Sequence, residues 1–170
     1  MKVGIIGAGT MGAGIAQAFA RTQKYEVLLC DLNRELAEKG RNKIADTLRH
    51  REEKGKISSR EVCEIMENIT PGTIEDCCDC GLVIEAAIED MGVKKQTFRK
   101  LQDICGDSCI LATNTSSLSI TEIGAGLKKP VVGMHFFNPA PVMKLVEIIT
   151  GIDTPAETVQ ILKTIAEDIG

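Results

Sequence analysis

Between the apolar run Lys2-Val3-Gly4-Ile5-Ile6 and the helically spaced Ile15, Ala18 and Phe19 stands Gly7-Ala8-Gly9-Thr10-Met11-Gly12. This glycine loop restricts the fold more than any other stretch of the chain. An apolar run stopped by glycine and followed by 3.6-residue periodicity reads as strand, tight turn and helix. In that context G-x-G-x-x-G is a phosphate-binding turn. Gly7 permits the turn, Gly9 lets a pyrophosphate approach the backbone, and Gly12 lets the helix pack closely on the strand. The positive end of the helix dipole then faces the phosphates. Gly7, Ala8, Gly9, Thr10, Met11 and Gly12 are therefore candidate dinucleotide contacts.

A second strand, Tyr25 to Cys30, delivers Asp31 at its end, 19 residues after Gly12. A carboxylate there accepts hydrogen bonds from the adenosine ribose hydroxyls and repels a 2'-phosphate, which favours NAD over NADP. Arg34 is the nearby cation that leaves NADP open.

Further along, Asn33 to Lys54 reads as a long polar helix, Ser58-Ser59-Arg60-Glu61 as a capping box for a short helix to Met66, and Pro71-Gly72 as a turn. Gly81 to Glu85 is a strand, Met91 to Cys105 a helix with Val93, Phe98, Leu101 and Ile104 on its apolar side, and Cys109 to Ala112 a strand. Ser119 caps a helix ending near Gly124, and Pro130 to His135 returns as a strand. Such alternation predicts a doubly wound, mainly parallel sheet with helices on both faces. The turn Asn138-Pro139-Ala140-Pro141 is too short for a crossover helix, so Lys144 to Ile149 should pair antiparallel with its predecessor. Thr154-Pro155-Ala156-Glu157 supplies an N-cap, a proline at the first helical position and a capping glutamate, starting a helix that places Val159, Leu162, Ala166 and Ile169 on one face.

The 170 residues are 44% hydrophobic and 26% charged, the composition of one ordinary domain rather than of a disordered or fibrous chain. No segment reaches the ~18 apolar residues of a membrane helix and no cleavable signal precedes Val3, so the cytoplasm is the expected location. A net charge of −4 argues against a nucleic-acid surface. Cys30, Cys63, Cys105 and Cys109 lie in apolar segments, where a thiol behaves as a small hydrophobe. The cluster Cys77-Cys78-Asp79-Cys80 lacks the paired two-residue spacings of a zinc site and has no histidine nearby, so no metal is expected.

Of the two histidines, His50 falls in a charged helical stretch, Leu48-Arg49-His50-Arg51-Glu52-Glu53. His135 instead ends a sheet strand, at the edge where open α/β sheets bind ligands, and the antiparallel return brings Glu147 beside it. An imidazole oriented by a carboxylate is an acid/base pair. Thr113-Asn114-Thr115-Ser116-Ser117 ends a neighbouring strand and opens onto the same crevice, with Ser119 engaged as a cap. Ser116 or Ser117 is then the donor to a substrate oxygen.

Gly7-x-Gly9-x-Met11-Gly12-x-Gly14-Ile15-Ala16, Glu85-Ala86-Ala87-Ile88-Glu89, Asn114-Thr115-Ser116-Ser117-Leu118, and His135-Phe136-Phe137-Asn138-Pro139 with Met143-Lys144-Leu145-Val146-Glu147 together resemble the 3-hydroxyacyl-CoA dehydrogenase family, nearest its bacterial 3-hydroxybutyryl-CoA members. The resemblance spans essentially the whole chain. It implies an NAD-dependent hydride transfer between NAD(H) and a 3-hydroxyacyl-CoA or 3-oxoacyl-CoA, with His135 as the base and Glu147 as its orienting partner. It further implies Ser116 and Asn138 beside the substrate oxygen and nicotinamide, and Ala86, Glu89 and Lys94 along the cofactor. Lys54 and Thr47 fall where the family contacts the acyl-CoA. Family members continue into a helical C-terminal domain that supplies the dimer interface and another active-site asparagine. On that basis residues 1–170 form the NAD-binding unit, and a homo-oligomer is expected only of a longer protein. The stripe of Val159, Leu162 and Ile169, with Phe136 and Phe137, should then be partly uncovered.

Two other readings fit parts of the pattern. The 3-hydroxyisobutyrate and 6-phosphogluconate dehydrogenases share a G-x-G-x-M-G loop but use a lysine in place of the His135 and Glu147 pair. An NAD-binding module without turnover fits the glycine loop alone.

Overall fold

A computed structural model describes all residues from Met1 to Gly170. Seven strands form one sheet: β1 (Lys2–Ile6), β2 (Glu26–Cys30), β3 (Ile69–Gly72), β4 (Leu82–Glu85), β5 (Ile110–Thr113), β6 (Val131–Phe136) and β7 (Val146–Thr150). Their spatial order is β3-β2-β1-β4-β5-β6-β7. All pairs are parallel except β6 with β7, whose register sets His135 opposite Glu147. The doubly wound sheet with one antiparallel strand is therefore the architecture observed.

Helices α1 (Thr10–Ala20), α2 (Arg34–Glu53), α3 (Ser59–Glu67), α4 (Met91–Ile104), α5 (Ile120–Gly124) and α6 (Ala156–Ile169) cover both faces. Successive strand residues point to opposite faces, so the core is divided in two. Ile5, Leu29, Ile84 and Met134 join Ile15 and Phe19 of α1, Ile44 and Leu48 of α2, and Leu162 of α6. Leu28, Cys30, Val83 and Leu111 join Phe98 and Leu101 of α4 and Ile123 of α5. Each fully buried large side chain contributes about 1.5–3 kcal/mol relative to exposure. No helix is long and apolar enough to cross a membrane.

The capping residues act as the sequence predicts in most places. Ser58 and Glu61 form a reciprocal capping box and Ser119 accepts from Glu122 N at 3.2 Å; Asn33, read as the first residue of its helix, is instead its cap and accepts from Leu36 N at 2.9 Å. Two expectations are corrected. Pro71-Gly72 is not a turn but the end of β3. This strand lies at the sheet edge and pairs only with β2, where a proline without an N–H costs no ladder bond. Thr154 does not cap α6: its hydroxyl accepts from Gly151 N at 2.8 Å and donates to Val131 O at 3.2 Å, and Pro155 holds the N-cap position. The α6 stripe is partly uncovered, as expected: Val159, Ile169 and Phe137 are half-buried, whereas Leu162 and Phe136, with Ile165 of the same helix, are buried. Fuller apolar exposure falls on Val142, Met143 and Leu145 before β7.

All seven cysteines are unpaired: Cys30, Cys77, Cys80, Cys105 and Cys109 are buried, and Cys63 and Cys78 are exposed. The Cys30 and Cys77 sulfurs lie 3.8 Å apart beneath the α4 face.

Candidate active site

The glycine loop lies where β1 meets α1. Gly7 has φ +101°, and a side chain there would come within 2.8 Å of the Ala86 carbonyl. At Gly12 the clash is more severe, 1.7 Å from the Gly7 carbonyl oxygen, whereas a methyl at Gly9 would enter open space. Gly7 and Gly12 thus serve the packing, while Gly9 leaves the backbone approachable. No side chain caps α1 and no acidic residue occupies its first turn, so its leading N–H groups are left for an anion. Asp31 ends β2 against the same loop, where its Oδ2 accepts from Ala8 N at 2.7 Å and its Oδ1 from Leu32 N at 2.8 Å. An ionised carboxylate has further lone pairs, so it accepts ligand hydroxyls as well. Gly40 of α2 would place a methyl 2.5 Å from the Ala8 side chain, so the long helix is pressed onto the loop from outside.

The second group lies at the carboxyl ends of β4, β5 and β6. His135 Nδ1 is 2.8 Å from Glu147 Oε2, the direct cross-strand pairing that an antiparallel register provides. The His135 side chain is 16% exposed and that of Glu147 50%. Nε2 makes no hydrogen bond within the protein, and the ring packs on Phe137 with centroids 4.7 Å apart. A cavity of about 370 Å³ brings His135 together with Met11, Ala86, Glu89, Lys94, Ser116 and Asn138. Asn114 Oδ1 accepts from Phe136 N at 2.8 Å and so locks the ends of β5 and β6 together.

Glu89 organises the β5 loop. Its Oε1 accepts from the Thr115 hydroxyl, from Ser116 N at 3.1 Å and from Ser117 Oγ at 3.3 Å. Burial opposes its ionisation, but these donors and the Lys94 ammonium hold its carboxyl below the ordinary value. Lys94 is nearly sealed from solvent and donates to both Glu85 oxygens at 2.9 Å, with Glu89 Oε2 at 3.3 Å. Lys94 therefore lies at the cavity wall as a member of a buried ion pair.

A further cavity of about 400 Å³ runs between α1, α2 and the 138–142 loop, touching Gly9, Thr10, Thr47 and Asn138. Lys43 and Arg51 also line it, and Arg51 Nε is the one buried side-chain nitrogen without a hydrogen-bond partner. Lys54, at the exposed C-terminal end of α2, lines neither this cavity nor that of His135. A third cavity, of about 470 Å³, lies beside Arg21, Met143 and Ile169 and does not include His135.

Sequence reasoning quoted Glu85 and Asn114 within motifs but gave them no role, and passed over Gly40, Lys43 and Arg51. A glycine in mid-helix signals close packing, which would have singled out Gly40. Nothing in the local sequence marks Lys43 or Arg51 apart from the other cations of α2.

The model of the NAD-binding domain of 3-hydroxyacyl-CoA dehydrogenases matches residues 2–170. The chain belongs to that family. A 3-hydroxybutyryl-CoA dehydrogenase of Clostridioides difficile is 46% identical over 154 residues, which cover 89% of this chain and 54% of that protein. A 3-hydroxyadipyl-CoA dehydrogenase of Escherichia coli is also 46% identical, over 93% of this chain and 34% of its own length. The crystal structure of an (S)-3-hydroxybutyryl-CoA dehydrogenase from Ralstonia eutropha superposes with a TM-score of 0.94 at 37% identity, over 99% of this chain and 60% of that one. The chain thus spans little more than half the length of the family's curated 3-hydroxybutyryl-CoA members that it matches.

Proposed function

We propose that this chain is the cofactor-binding and acid/base unit of an NAD-dependent dehydrogenase that interconverts a short-chain 3-hydroxyacyl-CoA and its 3-oxoacyl-CoA counterpart in the cytoplasm. The observation that carries the proposal is the His135 and Glu147 pair, whose free Nε2 shares a cavity with Ser116, Asn138 and the residues behind the glycine loop. NAD fits the residues present: open space at Gly9, uncapped N–H groups on α1 and an acceptor at Asp31 suit a dinucleotide with free ribose hydroxyls. When bound, NAD supplies the hydride chemistry.

In this reading Gly7, Ala8, Gly9, Thr10, Met11 and Gly12 cradle the pyrophosphate and Asp31 takes the adenosine ribose. Ala86, Glu89, Lys94, Ser116 and Asn138 follow the cofactor towards its nicotinamide end. His135 Nε2 removes the proton of the 3-hydroxyl as hydride leaves C3, and returns it in the reducing direction. Glu147 fixes the tautomer with the proton on Nδ1 and stabilises the imidazolium that forms. The Ser116 hydroxyl donates to the substrate oxygen. Thr47 and Lys54 lie on the side of the acyl-CoA, Thr47 through the cavity between α1 and α2. The names of the similar dehydrogenases support an acyl-CoA substrate.

Cofactor binding and turnover are measured separately. NADH fluorescence titrates cleanly in a chain without tryptophan. His135→Gln should leave NADH affinity within about twofold and lower turnover of 3-hydroxybutyryl-CoA by ~10²- to 10⁴-fold. Equal loss of both would mark His135 as structural. A wild-type chain that binds NADH without turnover would support the module reading instead.

A further inference from the structure

Glu85 lies at the carboxyl end of β4, is fully buried, and takes no part in the proton transfer proposed above. Its carboxylate is saturated. Oε1 accepts from Ala87 N at 2.8 Å and Lys94 Nζ at 2.9 Å, while Oε2 accepts from Lys94 Nζ at 2.9 Å and the Thr113 hydroxyl at 2.7 Å. The same ammonium reaches Glu89, so two carboxylates share one cation.

Stability does not account for this arrangement. A buried ion pair recovers its desolvation cost only with full hydrogen bonding, and an apolar pair of similar volume is often as stable or more so. What the charges do achieve is electrostatic. The group carries one net negative charge, and its Glu89 and Lys94 line the cavity into which His135 opens, with Glu85 behind them. Glu85 and Lys94 are sealed from water while Glu89 is 41% exposed, so the charge at Glu85 acts through a medium between protein and solvent in dielectric.

We infer that Glu85 sets the charge balance of this wall: by neutralising Lys94 it leaves Glu89 as an uncompensated anion facing the nicotinamide end of the cofactor, and so biases binding towards the oxidised, positively charged ring. The inference rests on the NAD reading and deepens it. Glu85 acts through Lys94 and Glu89 and is a positioning residue.

The measurement is the ratio of the NAD⁺ and NADH dissociation constants, NADH by direct fluorescence titration and NAD⁺ by competition against it. Removing one net charge at a range of ~10 Å in a medium of intermediate dielectric should raise that ratio about five- to tenfold in Glu85→Gln. The double variant Glu85→Gln/Lys94→Met restores one net negative charge and should return the ratio to within about twofold of wild type. A residue that merely holds the fold would lower both affinities together and would not be rescued by removing its partner. An unchanged ratio in Glu85→Gln, or a double variant as shifted as the single one, overturns the inference while leaving the NAD reading intact. Failure of the wild-type chain to bind NADH at all overturns the NAD reading first. Should Glu85→Gln not fold, the double variant must keep the wild-type ratio while Glu89→Gln raises it. A raised ratio in the double variant then overturns the inference.

Discussion

Replacing Gly9 and Gly12 separately by alanine isolates what each glycine contributes, because their surroundings differ so sharply. At Gly12 the new methyl would lie 1.7 Å from the Gly7 carbonyl oxygen. Ordinary carbon–oxygen contact needs ~3.3 Å, so α1 must retreat from the turn by roughly 1.5 Å. That helix buries eight of its eleven residues, including Ile15, Ala16 and Phe19, and cannot retreat without opening the core beneath it. Overpacking of this kind costs typically 1–3 kcal/mol, and a rigid backbone obstacle places Gly12→Ala at about 3 kcal/mol. With a urea m-value of ~1–3 kcal/mol/M, the unfolding midpoint should fall by roughly 1–3 M. At Gly9 nothing lies within 4 Å and the backbone is extended, with φ −72°. Gly9→Ala should therefore stay within about 0.5 kcal/mol of wild type in stability. It should nonetheless weaken NADH at least tenfold, about 1.4 kcal/mol, because the methyl occupies the approach of the pyrophosphate. Urea unfolding and NADH titration on both variants complete the test. Wild-type NADH affinity in Gly9→Ala would refute the placement of the phosphates, and an unshifted midpoint in Gly12→Ala would refute the packing argument.

Asp31→Ala should narrow the preference for NADH over NADPH, read as the ratio of the two affinities; an unchanged ratio removes Asp31 from the ribose site. The same variant frees Ala8 N, so the absolute affinity for both should fall as well. Tyr25 donates to Asp168 at 2.8 Å and ties the residue just before β2 to the last turn of α6, and burial with that bond pushes its pKa up to about 12. A raised value in the folded state means that the stability from this group is full below pH ~10 and is lost as pH rises towards 12. Tyr25→Phe keeps the ring against Phe19 but should cost ~1 kcal/mol at pH 7 and flatten the decline of stability between pH 10 and 12 in alkaline unfolding scans. An unaltered slope would show that the hydroxyl is not held as described.

The parallel sheet was legible because its strands are short apolar runs bounded by glycine, proline or capping residues, and because strand and helix periods alternate without interruption. β3 escaped because four residues containing proline and glycine carry no strand signal, and only its place at the sheet edge tolerates them. The α6 boundary slipped by one residue, since Thr154 offers the hydroxyl of an N-cap but spends it on the β7 turn and Val131. At the candidate site, His135, Ser116 and Asp31, at or just beyond strand ends, and Glu147 on the antiparallel return were legible from the sequence, whereas Asn138 came with the family resemblance. Lys94 shows where such reasoning stops. A lysine on the buried side of α4 contradicts the amphipathic pattern, and the carboxylate that permits it lies nine residues upstream on another element. Its roles in charge and position belong to tertiary contacts that no local spacing encodes.

The pairing of β6 with β7 also separates two properties that could have been entangled. Residues 137 to 145 form the connection between these strands and contribute Asn138, Pro139, Ala140, Pro141 and Val142 to the cavity beside α2. The distance between His135 and Glu147, by contrast, depends on ladder register, which the strands themselves fix. A slip by one residue would turn Glu147 to the opposite face, so the buried sides of Met134 and Phe136 hold the pair in place. Beyond Phe137, which packs on the imidazole, and Asn138, which lines its cavity, the connection can therefore exchange residues while the imidazole and its carboxylate stay in contact. The lining of the cavity beside α2 and the contact between imidazole and carboxylate are, in this architecture, set by different parts of one hairpin.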